Sequence, residues 1–246
     1  MRRLGASWIL LVLALTGCQQ APRFVNHERP AWTVDFATFE TVGCPADQYG
    51  QRICQPDSAM ASLGCDRIRE PTSLLGALEP SYPLAVCLID PWRAAEGPTE
   101  EQRRIMDEQT YLYATGCLAP TFVRYVIQRD GQYQLLTTEE QFRNEFAPVE
   151  SAHEALSYAL ATTGRSARYG QEYDRKLAYS VEVLEDTHVV TSGDGYITHL
   201  FRYQLCGCGP HPTVAERYRV TPDGHVERLS AVAVFRDPEE DDMCID

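Results

Sequence analysis

The chain has 246 residues, with 35 acidic against 22 basic side chains and a formal net charge of −13. That balance argues against nucleic acid as a partner and against direct adhesion to anionic headgroups. The length is enough for one large domain or two small ones with a substantial core.

The first element is an export signal. Arg2 and Arg3 form a positive n-region, and residues 8–15 form an apolar run too short to span a bilayer, which takes about 20 residues. Leu15-Thr16-Gly17-Cys18 follows directly and resembles the bacterial lipobox. The resemblance implies cleavage after Gly17 and a palmitate-class diacyl modification of Cys18, and two acyl chains anchor a protein stably. Gln19 in place of aspartate is compatible with outer-membrane sorting. The expectation is a lipid-anchored cell-envelope protein, facing the periplasm or the cell surface. Loss of the two signal arginines makes the remainder two charges more negative.

The cysteines agree with export. Of nine, Cys18 is assigned to lipid, leaving Cys44, Cys54, Cys65, Cys87, Cys117, Cys206, Cys208 and Cys244. An even set in an exported chain reads as a disulfide framework, although eight cysteines allow 105 pairings. A bridge from Cys206 or Cys208 to Cys244 would pin the C-terminal tail.

Residues 18–35 are polar and without periodicity, and read as a tether. Residues 36–97 are proline-punctuated and loop-rich, with strand character only at 84–89 and a turn or two of helix at 73–78. An α+β domain is expected over 98–246. Thr99 and Gln102 form a capping box for a helix reaching toward Gly116. Residues 121–127 and 133–136 form a hairpin about Asp130-Gly131. Thr138 caps a short helix carrying Phe142 and Phe146. Ser151 with Glu154 opens a helix whose stripe is Ala155, Leu156, Ala159 and Leu160, ending at Gly164. The last third alternates as antiparallel strands. Tyr179, Val181 and Val183 form the first, followed by 196–206, 213–220 and 226–235, with turns at 192–195 and 221–224. Ile197, His199, Phe201, Tyr203 and Leu205 fall on one face of the longest strand.

The fold class that follows is α+β: an antiparallel β-meander packed by helices, with a disulfide-stapled, loop-rich N-terminal region. The order of helix then four-stranded meander over 151–236 is similar to the cystatin-like and PepSY-like class. The segment 146–158 resembles parts of uncharacterised bacterial exported proteins. Neither resemblance implies functional residues.

Two local features bear on chemistry. Cys206-x-Cys208 with His211 supplies soft ligands for copper(I) or zinc, against a plain reading as bridge cysteines at a tight turn. His199 is the only histidine on an otherwise apolar strand face, where it would orient a ligand or act as the base of a hydrolase. No serine-elbow, zinc-protease, P-loop or dinucleotide motif is present in the sequence. The sequence therefore reads as a membrane-tethered envelope lipoprotein with a non-catalytic binding or structural ectodomain and no cofactor. Its tyrosines furnish a surface for an envelope protein or a glycan.

Overall fold

The computed structural model describes residues 21–93 and 95–245. Cys18 and the lipobox lie outside the described residues. Leu84–Ile89 is apolar and buried at every position, the mark of a strand covered on both faces. It pairs antiparallel with Thr121–Arg129, Leu84 opposite Ile127 and Ile89 opposite Phe122. Arg67–Arg69 and then Arg52–Ile53 extend this first sheet on one side. On the other side, Tyr113–Thr115 and Gln132–Leu136 pair with the two ends of Thr121–Arg129. One face, with Ala85, Cys87 and Val126, packs on Phe36, Phe39 and Met60. The opposite face carries Val86, Leu88, Val123 and Tyr125 into the main core.

The second sheet is the meander His188–Ser192, Gly195–Tyr203, Thr213–Val220 and Val226–Arg236, with Ala178–Tyr179 at its far edge. Its strands are joined by short connections, so chain neighbours pair. The helix Ala152–Thr163 lies between the two sheets. Ser151 Oγ accepts from the Glu154 N–H at 3.1 Å, and the Glu154 carboxylate accepts from the Glu150 N–H at 2.8 Å, satisfying donors at the helix start. Every residue from Glu154 to Thr162 is buried. Leu200, Tyr218 and Val220 of the second sheet share one core with this helix and with Tyr125 of the first. The Tyr125 hydroxyl donates to the Ala161 carbonyl at 3.2 Å, and Ser157 donates to that of Leu74 at 2.6 Å. The helix stops at Gly164, where φ is +65° and a Cβ would lie 2.4 Å from the Tyr113 ring. Only glycine takes that backbone without strain and admits the ring.

The architecture is α+β: among the described residues there are two large antiparallel sheets, one parallel and one antiparallel two-stranded pair, and four bridges. Cys44–Cys54 and Cys65–Cys87 staple the N-terminal region, Cys117–Cys206 links the strand-rich halves, and Cys208–Cys244 holds the tail. Among the described residues, no helix is long and apolar enough to cross a membrane.

Several expectations change. Part of the presumed tether is folded: Arg23–Val25 pairs in parallel with Val183–Glu185, and Trp32 and Val34 pack against the main core. Apolar side chains buried by long-range contacts outweigh the local absence of periodicity. The 36–97 region is less irregular than expected and shares the first sheet with residues beyond 98. The helix begun at Glu100 ends at Asp107; Gln109 then takes a positive φ of 52°, and the Leu112 N–H donates to the Val123 carbonyl. Strand pairing wins there over helix extension. Tyr179 and Val183 belong to different strands, since Ala178–Tyr179 joins the second sheet while Val183–Glu185 pairs with Arg23–Val25. The central helix buries more than a stripe because a sheet covers it on either side. Finally, the helix covers the Tyr196 and Leu200 face of the long strand, whereas His199 lies on the other face.

Candidate functional site

The cysteine–histidine cluster has no free thiolate. Cys206 is bridged to Cys117 and Cys208 to Cys244. His211 is 2% exposed. Its Nδ1 lies 3.0 Å from the Gln204 carbonyl and its Nε2 lies 3.1 Å from that of Met243. Both ring nitrogens are thus engaged with main chain, and the residue helps hold the tail. Because the sulfurs are used in bridges, the metal reading of Cys206, Cys208 and His211 has no ligand set.

Among the described residues, one opening lies beyond the end of the central helix. There the helix-facing side of the first sheet is uncovered, leaving a cavity of about 760 Å³. The alternation Arg67-Ile68-Arg69 turns both arginines to this side, opposite Leu88 and Val86. Tyr113 and Thr115 line the cavity from the far edge. A second cavity of about 1120 Å³ is lined by Arg29, Arg168, Tyr169, Tyr173 and Arg175. The two adjoin at Thr72, Leu160 and Arg165, which line both. They form a groove in which arginine outnumbers carboxylate, on a chain whose net charge is −13.

These arginines are of two kinds. Arg52, Arg67 and Arg165 are held, Arg52 by Glu40 at 4.0 Å. Arg67 donates to both oxygens of Asp90, at 2.5 and 2.9 Å, and the Thr121 hydroxyl donates to the same carboxylate at 2.7 Å. Burial pushes the Asp90 carboxyl up, but Arg67 and Thr121 outweigh it and keep it below the usual range. Arg165 donates at 2.5 Å to Glu216, whose side chain is fully buried. Glu216 also accepts from Arg202 at 3.1 Å and from the Tyr218 hydroxyl at 2.6 Å, with Arg228 at 3.5 Å. Burial raises the Glu216 carboxyl, yet Tyr218, Arg202 and Arg165 together hold it below its ordinary value. The second kind is free. Arg29, Arg69, Arg168 and Arg175 form no ion pair among the described residues. Arg168 is placed over the Phe235 ring, 5.3 Å from its centroid, where attraction to the ring orients it. The groove thus combines three ion-paired guanidinium groups with several available ones, beside tyrosine hydroxyls and rings. That set suits carboxylate or phosphate oxygens and hydroxyl-bearing rings.

None of these arginines stands out in the sequence. The period of two in Arg67-Ile68-Arg69, and the basic residues just past the Gly164 helix stop, are the signals that would have located them. His199 does not line this groove. It borders a separate, smaller cavity of about 260 Å³ on the outer face of the second sheet, together with Glu185, Leu184 and Val232. No family model, no curated protein and no solved structure matches this chain.

Proposed function

We propose that this protein is a membrane-tethered envelope lipoprotein whose ectodomain binds an anionic, hydroxyl-rich ligand of the acidic-glycan class in the arginine–tyrosine groove. The observation that carries the reading is that groove: arginines without carboxylate partners gathered at the open end of the central helix of an acidic protein. Uncompensated guanidinium groups on a surface of opposite sign attract and orient an anion locally, while the remaining surface repels anions that do not fit. Tyr113, Tyr169 and Tyr173 add flat, hydroxyl-bearing area at small conformational cost. The lipobox at Cys18 supplies the anchor, and the bridged cysteines fit an oxidising compartment.

Calorimetric titration of the protein with a trigalacturonic acid probe tests the proposal. Binding is expected in the wild type and is expected to weaken at least about tenfold in an Arg69→Ala/Arg168→Ala double variant, since loss of charge-assisted bonds costs about 1.5–3 kcal/mol each. Unchanged binding in that variant, or none in the wild type, would contradict the reading.

A further inference from the structure

Outside the groove, hairpin register on the second sheet brings two histidines together, and a glutamate from the adjacent parallel pair joins them. His188 and His199 are directly opposite one another on adjacent antiparallel strands, which places their side chains side by side. Glu185 stands three residues before His188, at the strand paired with Arg23–Val25. One donor atom from each of the three lies within 4.8 Å of the other two. His188 Nε2 is 3.6 Å from Glu185 Oε2.

The ring orientations matter more than the proximity. His188 Nδ1 lies 2.9 Å and His199 Nδ1 3.2 Å from the same main-chain carbonyl, that of Asp186. A carbonyl only accepts, so both Nδ1 atoms carry the hydrogen, and each neutral ring then presents a bare Nε2 lone pair. A backbone carbonyl fixing the far nitrogen is the usual outer shell of a metal-bound histidine. Asp186 is itself fully buried and fixed. Its carboxylate accepts from the Gly170 N–H at 2.7 Å and from the Gln171 N–H at 3.2 Å, and its own N–H donates to the Val25 carbonyl at 2.9 Å. The His27 ring stacks on His188 at 4.5 Å and shields its flank.

We infer that Glu185, His188 and His199 form a binding site for a divalent transition-metal ion of the zinc class. Two imidazoles and one carboxylate are a three-ligand zinc set that leaves a fourth position open. Tetrahedral zinc with bonds of about 2.0–2.2 Å sets its donors roughly 3.3–3.5 Å apart, close to the Glu185–His188 separation. The Glu185 side chain is 43% exposed, so it is free to rotate the remaining distance. With every described cysteine in a bridge, no thiolate competes for the ion. Glu185 and His199 also border the cavity of about 260 Å³.

Titration of the tag-free, full-length, oxidised protein with zinc alone, followed by calorimetry, reads the site directly. One zinc per chain is expected, with affinity reduced at least about tenfold in Glu185→Gln and lost in His188→Asn and His199→Asn. His225→Asn, at an exposed turn, should leave binding unchanged. Glu185→Gln changes an exposed side chain and keeps the test valid even where a histidine variant does not fold. Cobalt(II) in the wild type should give the visible bands of a four-coordinate nitrogen–oxygen set. Absence of stoichiometric zinc, equal affinity in Glu185→Gln, or a cobalt spectrum identical to the aqueous ion would overturn the assignment.

Discussion

Glu216→Gln removes the charge at the centre of the cluster that fixes Arg165 beside the groove. The wild-type carboxylate accepts from Arg165, Arg202 and Tyr218 at 2.5–3.1 Å and has no solvent exposure of its own. Glutamine keeps the shape but turns an NH₂ group toward guanidinium donors. Stranding buried charge in this way costs about 3–5 kcal/mol when the partner is wholly desolvated. Here the three arginine side chains are 25%, 30% and 55% exposed, so water recovers part of that loss. A destabilisation of about 2–3 kcal/mol is expected near neutral pH. The Glu216 pKa is depressed in the folded state. Its contribution is therefore complete above the unfolded carboxyl range and disappears as pH falls through the lower folded value. Urea unfolding with intact bridges, run at about pH 7 and again near pH 3, should show the wild type and Glu216→Gln converging on acidification. A gap that stays constant across that interval, or one below about 0.5 kcal/mol at neutral pH, would refute the reasoning.

Gly164→Ala should cost about 2–4 kcal/mol, from the left-handed backbone and from collision with the Tyr113 ring. In a Tyr113→Ala background the same change should cost only about 1–2 kcal/mol, and equal costs in both backgrounds would show that the ring contact is unimportant. Loss of Cys117–Cys206, which closes a separation of 89 residues, should destabilise by about 4–5 kcal/mol, against about 3 for Cys44–Cys54 at a separation of 10. Unfolding curves of the paired serine variants order the two. Cys18→Ala should abolish incorporation of labelled palmitate and release the protein from the membrane fraction, and continued labelling would place the lipid elsewhere.

Elements with strong end signals were legible in the sequence. The central helix is bracketed by Ser151 and Gly164, and the meander by turns at Gly193 and Gly224, so local chemistry alone sets their limits. Arg23–Val25 was not legible. Three residues carry no measurable period, and its partner at Val183–Glu185 is remote in sequence. The same holds for Arg52–Ile53 and Arg67–Arg69, whose pairing is set by the buried strand beside them. His199 was singled out as a polar residue on an apolar face, but which face the helix would cover depends on a second sheet that the local pattern does not announce. His188 carries no pattern in the sequence, and only hairpin register sets it against His199. The groove arose in the same way: its arginines come from several segments, and only the early stop of the helix at Gly164 leaves them facing one space.

The central claim is that guanidinium charge in the groove recognises an anion carried on a hydroxyl-rich scaffold. Titrating the wild-type protein with trigalacturonic acid and, under identical conditions, with its fully methyl-esterified counterpart isolates that charge while keeping the sugar rings. Saturable binding of the acid, weakened by added salt and absent or at least about tenfold weaker for the ester, is the predicted result. Equal affinity for acid and ester, or binding of neither, would contradict the account.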